Sequence, residues 1–401
     1  MECDVSMSVY SRPILGVLSL SACGMLFASQ SALALECEKS YGFQVNQGNV
    51  LCSSKSAVFL DALANFQLSS QNYTDTSAAS VNGRFNDVGI NLAYQANATQ
   101  LMYRFPELGV EGSFDGGSRS ASQALFKDYV KKHDIIGKIM RYQAEHSASS
   151  PITGAGGLMP MAAAADADLA FSAPAHTGDA NSVLGAAFSY GSLSVDKGGD
   201  KVKTMSLPVS FSIKTVENQQ LVFNLPLSQT EIGGAKSYQV GAGVAYRLPV
   251  TTRWTLTPAV KYSVVGSKDR ATVATVYSAS LGSVYTFPAG PVSVSVGNMV
   301  GLYKTGKFSS GDYAFNPDIQ QTILRNGLML SQPVALLGRS MAIQYSLVDT
   351  RYLGDKPYLR DMQEVSVTLG SSSPASSFRA GLTWMHAKGS KGLTANMGYW
   401  F

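Results

Sequence analysis

Charge is scarce in this chain of 401 residues: 14% of its side chains are Asp, Glu, Lys or Arg, and the formal net charge is +4. So weak a positive balance gives no electrostatic footprint for nucleic acid. Long apolar runs are missing as well. Beyond residue 34 no stretch reaches the roughly 18 apolar residues that a membrane-crossing helix requires. Cysteine and histidine number four each. They form neither the ligand spacing of a zinc site nor the Cys-x-x-Cys of a redox centre. No Gly-x-Ser-x-Gly elbow occurs, and no internal repeat marks a solenoid. These absences argue against a helical membrane bundle, a metal or cofactor site, and most catalytic machinery.

The first segment reads as a leader. Residues Pro13 to Ala28 are apolar, follow Arg12, and lead to Ala32-Leu33-Ala34, a small-x-small site cut before Leu35. Glu2 and Asp4 are foreign to a leader's basic start, which makes Met7 an alternative initiator. Leu20-Ser21-Ala22-Cys23 leaves a lipidated Cys23 as a second reading. With residues 1–34 removed, Cys37 and Cys52 remain as an even pair in an oxidising compartment. The pair predicts a disulfide that would contribute roughly 3 kcal/mol on the chain-entropy model.

From Val183 to Phe401 the chain alternates apolar and small polar residues in about twelve segments separated by turn signals. They cover 183–195, 204–216, 219–228, 237–248, 252–266, 272–287, 291–304, 320–332, 339–350, 361–371, 376–387 and 391–401. Most exceed the usual globular strand and match or surpass the roughly 9 to 11 residues that cross a bilayer at a tilt. Their connections fall into two alternating sets. One is short, such as Glu217-Asn218, Pro249-Val250-Thr251 and Pro288-Ala289-Gly290. The other is longer or more charged: 196–203, 228–236, 266–271, 304–318, 349–361 and 386–392. The pattern predicts an all-β fold, an antiparallel transmembrane β-barrel with short turns at one end and loops at the other.

Sidedness follows from the period of two. Tyr238, Val240, Ala242, Val244, Tyr246 and Leu248 would face lipid, as would Met205, Leu207, Val209, Phe211 and Ile213. The opposite faces carry Ser, Thr, Gly and Gln. Their charges are mostly basic: Lys214, Arg247, Lys261, Arg325 and Arg379 against Glu364. These six are the candidate lumen-lining residues, and such a lumen would favour anions.

The last eleven residues, KGLTANMGYWF, place Leu393, Ala395, Met397, Tyr399 and Phe401 on one side. Phe401, Tyr399, Met397 and Gly392 resemble the assembly signal on the last strand of bacterial outer-membrane β-barrels. That resemblance implies the outer membrane as location. It also implies lipid, lipopolysaccharide and the barrel assembly machinery as partners.

Residues 35–180 are a different kind of chain. Residues 35–119 read as a small mixed α/β domain, with a hairpin at 89–94 and 99–105. Residues 120–146 read as one helix, with Gly137 weakening its middle. Residues 147–180 are rich in Ala, Gly, Ser and Pro and read as a linker or plug. A helix followed by about twelve strands resembles the translocator unit of autotransporters, over residues 120–401. The leading expectation for the barrel, 181–401, is a passive pore for small polar, anion-favouring solutes. Autotransporter-like display with a surface ligand is the second expectation, and an enzyme acting on outer-membrane lipid the third. Of the histidines His133, His146, His176 and His386, only the last lies in the barrel, where Asp349, Asp355 and Asp361 are the acids it could meet. Asp-bearing loops 310–318 and 349–361 match no calcium loop.

Overall fold

The structure is a computed structural model that describes residues 37–171 and 182–400, except 38, 47, 58, 60–73, 196–200, 217–218, 311–312, 337 and 372–376. The leader with Cys23, His176 and Phe401 lie outside the described residues.

Six strands open the described chain: β1 (Tyr41–Val45), β2 (Leu51–Ser53), β3 (Ala79–Phe85), β4 (Val88–Tyr94), β5 (Leu101–Phe105) and β6 (Val110–Phe114). They form one antiparallel sheet in the order β2-β1-β3-β4-β5-β6. Alternate residues of β3, β4 and β5 are buried, as a sheet with one packed face demands. The tight β3–β4 turn uses Asn86 and Asp87, both at positive φ, where Asn and Asp are the best tolerated non-glycine residues. Cys37 and Cys52 are disulfide-bonded, tying the approach to β1 to β2 across a Cα separation of 5.8 Å.

The single helix expected over 120–146 is two: α1 (Arg119–Lys132) and α2 (Ile135–His146). Asp134 divides them. It adopts a left-handed φ of 51° and its carboxylate accepts the Gly137 N–H, capping α2. Gly137 is therefore the third residue of a new helix, and a Cβ there would collide with the capping carboxylate. The 147–180 segment contains a third helix, α3 (Leu158–Phe171).

The remaining strands are β7 (Ser182–Val195), β8 (Lys201–Ser206), β9 (Val209–Lys214), β10 (Gln220–Leu225), β11 (Leu227–Ile232), β12 (Ala235–Pro249), β13 (Trp254–Ser267), β14 (Thr272–Ala289) and β15 (Val292–Gly306). A small hairpin follows, β16 (Phe308–Ser310) with β17 (Tyr313–Phe315). Then come β18 (Gln320–Leu336), β19 (Arg339–Gly354), β20 (Asp361–Ser371), β21 (Ser377–Ala387) and β22 (Ser390–Trp400). β8 continues into β9 across Leu207-Pro208, and β10 into β11 across Pro226, because a proline has no N–H to offer the ladder. Counted this way the wall has twelve strands, all antiparallel, closed by β22 against β7 with Ala395 opposite Tyr190.

The exterior of this wall is apolar: Met205, Phe211, Tyr238, Val240, Val260, Leu302, Leu347 and Leu382 are all exposed. Ser212, Gln239, Thr257, Ser278 and Ser295 are buried inward. Both ends of the barrel chain lie at one rim, the turn end, where Gly185 pairs with Trp400. The opposite rim is the loop end. Two connections expected there as loops are mostly strand. Residues 228–236 extend β11 and β12 to a Gly233-Gly234 turn, and 386–392 close at Lys388-Gly389. Strand pairing satisfies backbone groups that a loop would leave to water. Gly233, Gly234 and Gly389 supply the positive φ these tight turns need.

Candidate functional site in the barrel lumen

α3 lies inside the barrel, packed on β12, β13, β14 and β15. Apart from Asp166 and Asp168 its sequence, LMPMAAAADADLAF, is apolar all round, which suits a helix lying within protein and hides it from any search for an amphipathic stripe. Small residues allow close approach. The Gly282 position faces Ala170, and Gly297 and Gly327 face the Phe171 ring. Met159, Ala162, Ala163 and Ala167 join Met299, Tyr303 and Ile323 of the wall in one buried cluster.

Polar bonds set the depth of the helix. Asp166 and Lys261 form an ion pair at 2.5 Å, with both side chains 1% exposed. The Tyr303 hydroxyl donates to Asp166 at 2.8 Å, and Lys261 donates to the Ala162 carbonyl at 3.2 Å. Near the turn end Arg247 donates to the Leu169 carbonyl at 3.2 Å, which satisfies a carbonyl of the last helical turn, and to Gln220 at 3.1 Å. Near the loop end the Gly156 carbonyl, just before the helix, accepts from Thr230 and Gln239 at 2.8 and 2.7 Å. The helix thus runs from the loop end towards the turn end.

Beside α3 remains a cavity of about 520 Å³, lined by Ser189, Ser206, Ser346, Thr368 and Asn396 among others. Asp168 stands exposed towards it, and Arg325 pairs with Glu364 at 2.6 Å on its wall. Towards the loop end, Ala148, Ala155, Leu193, Val202, Ile232, Leu359 and Ala387 form an apolar cluster.

The N-terminal domain sits over the loop end. Tyr41 donates to the Arg270 carbonyl at 2.6 Å, and burial pushes its hydroxyl pKa upward. Arg270, 1% exposed, donates to the Ser149 carbonyl at 2.5 Å. Arg141 of α2 bonds Asp355 at 2.8 Å and the Asp318 carbonyl at 2.5 Å. Asp134 accepts from the Asn316 N–H at 3.3 Å, and burial raises its carboxyl pKa despite this bond.

Of the six charged candidates, Lys261, Arg325 and Arg247 are buried in the lumen, engaged by Asp166, Glu364 and Leu169 respectively. Glu364 and Arg379 line the cavity, while Lys214 lies at the turn end opposite Gln220. Met397 and Tyr399 project from the exterior, whereas a Cβ at Gly392 would crowd Leu193. His386 also lies on the exterior, stacked on Trp384, and is not brought to the acids; Asp349 and Asp361 pair with Arg351, and Asp355 with Arg141. Among the described residues no group of His, Cys, Asp or Glu could hold a metal ion. Sequence reasoning missed Asp166, Asp168, Tyr303, Arg141 and Arg270. Two aspartates within an otherwise apolar run, facing a surplus of inward lysine and arginine, were the available signal.

No protein-family model and no curated protein matches the chain. Among solved structures it is similar to the translocator domain of autotransporter NalP from Neisseria meningitidis, at 14% identity over 64% of this chain and 98% of that one, with a TM-score of 0.47. It is similar also to the β domain of the Bordetella autotransporter BrkA, at 12% identity over 55% and 99%, TM-score 0.44. The KdgM porin gives 11% identity over 53% and 98%, TM-score 0.32. The chain thus resembles bacterial outer-membrane β-barrels of both autotransporter and porin kinds.

Proposed function

We propose that this chain is a surface-display protein of a bacterial outer membrane. The barrel is the anchor, α3 is the plug and tether, and residues 37–146 are the displayed domain. One observation carries the reading. The chain leaves a folded domain at the loop end, descends the lumen as α3, and begins β7 at the turn end. A chain threaded in this way joins one side of a membrane to the other through its own barrel. The exposed apolar wall supplies the lipid-facing surface. Short turns at the periplasm and loops outside would put the domain on the cell surface.

Passive passage of small polar solutes is the second reading, favoured by the cavity of about 520 Å³ left beside the helix. Against it, the inward basic residues that would attract a solute are partly occupied by Asp166 and Glu364. An epitope inserted between Gly116 and Gly117, both exposed, tests display. Antibody should bind intact cells. Binding only after the outer membrane is broken would overturn the proposal.

A further inference from the structure

The N-terminal sheet has a second face, and α2 shows where it points. Ile135 and Ile139 of α2 pack on the sheet, while Met140 and Ala144 pack into the cluster around α3. The helix is therefore sandwiched between sheet and barrel, and the sheet's other face is turned away from the barrel.

Strand register aligns one polar row on that face. Gln44 is opposite Asn82, Asn82 opposite Asn91, Asn91 opposite Arg104, and Arg104 opposite Glu111. At the usual strand spacing these five side chains make a strip about 19 Å long. One flanking row holds Gly42, Arg84 and Gly89, and the other Ser80, Ala93, Met102 and Ser113. The side-chain amides of Asn82 and Asn91 bond no described residue, so each offers free donors and an acceptor.

We infer that this strip binds a neutral polysaccharide chain laid across the strands. Its charges cancel in place: Arg104 lies 3.4 Å from Glu111, and Arg84 lies 3.9 Å from Asp87. A polyanion or a lipid headgroup layer would need an unbalanced basic patch. A protein partner would need an apolar or aromatic anchor at the centre, and among the described residues no large hydrophobic side chain on this face is exposed. Side-by-side amides, a guanidinium and a carboxylate are instead matched to the paired hydroxyls of sugars, which both donate and accept. On one flank Ser80, Ala93 and Ser113 are small, Met102 being the long side chain among them, which leaves that side of the row low for a chain to settle against. The inference rests on the fold of residues 37–146 and not on which side of the membrane they lie.

The test uses the full chain purified in a detergent without sugar headgroups, applied to immobilised dextran, mannan and chitin-derived oligosaccharides. Retention on at least one is expected. Asn82→Ala with Asn91→Ala should weaken it about tenfold, from two lost hydrogen bonds of ordinary strength. Lys127→Ala, on exposed α1, should change nothing. An intact Cys37–Cys52 disulfide and an unchanged heat-dependent gel shift establish that the double variant is folded. Arg104→Gln with Glu111→Gln, which removes both charges and leaves two amides, should also weaken retention. No retention on any of the three polymers, or equal retention by the Asn variant, would overturn the inference. So would tighter binding to heparin that the Asn substitutions also abolish, since the strip would then read anions.

Discussion

Lys261 on β13 and Asp166 on α3 meet at 2.5 Å inside the barrel, each side chain 1% exposed. A pair so far from water is most damaging when halved, because the surviving charge is left buried and uncompensated. Lys261→Met should therefore destabilise the folded barrel by about 3 kcal/mol. Lys261→Met combined with Asp166→Leu should recover most of that loss. The temperature of the heat-dependent gel shift reads both. A double variant as weak as the single one would mean the pair contributes more than mutual neutralisation.

Removal of α3 frees the inward basic residues. Deleting residues 158–171 should turn a poorly conducting barrel into an open channel that prefers anions, since Lys261 and Arg247 lose their helical partners. Within that deletion, Lys261→Gln with Arg325→Gln should reduce the preference, seen as a shift of reversal potential in a salt gradient. Lys214→Gln, at the turn end, should matter less.

Close packing of the helix predicts sensitivity at a glycine. A side chain at 282 would strike Ala170. Gly282→Val should cost about 1 to 3 kcal/mol by overpacking and loosen the plug, raising the conductance of the full-length protein. Gly266→Val, where a Cβ meets open space, is the control.

The terminal strand gives a fourth expectation. Deleting Phe401 should lower the amount of protein inserted, whereas Tyr285→Ser, which removes an exposed aromatic, should not. Equal losses would make Phe401 one aromatic among many.

Much of the wall was readable because a two-residue period needs no tertiary knowledge: Met205, Leu207, Tyr238 and Val240 face outward as alternation demands. The plug was not readable as a helix. Lying within the barrel, α3 carries apolar residues around its whole circumference with Asp166 and Asp168 as the polar exceptions, so its sequence lacks the 3.6-residue contrast that reveals α2. The break between α1 and α2 was hidden because Asp134 acts through a local bond to the Gly137 N–H, and an Asp three residues before a Gly is ordinary in a helix or a cap. Lys261 and Arg325 were visible as inward charges, but their partners lie 95 residues upstream and 39 downstream in sequence, distances that no local pattern spans.

Display itself is tested most directly by labelling single cysteines with a membrane-impermeant maleimide, the native Cys37 and Cys52 being joined to each other. Lys127→Cys places a thiol on the exposed surface of α1, and Arg253→Cys places one in an exposed connection at the turn end. On intact cells the thiol at 127 should react at once and the thiol at 253 only after the outer membrane is opened. The reverse order, with 253 labelled on intact cells and 127 protected, would put the domain on the inner side and contradict surface display.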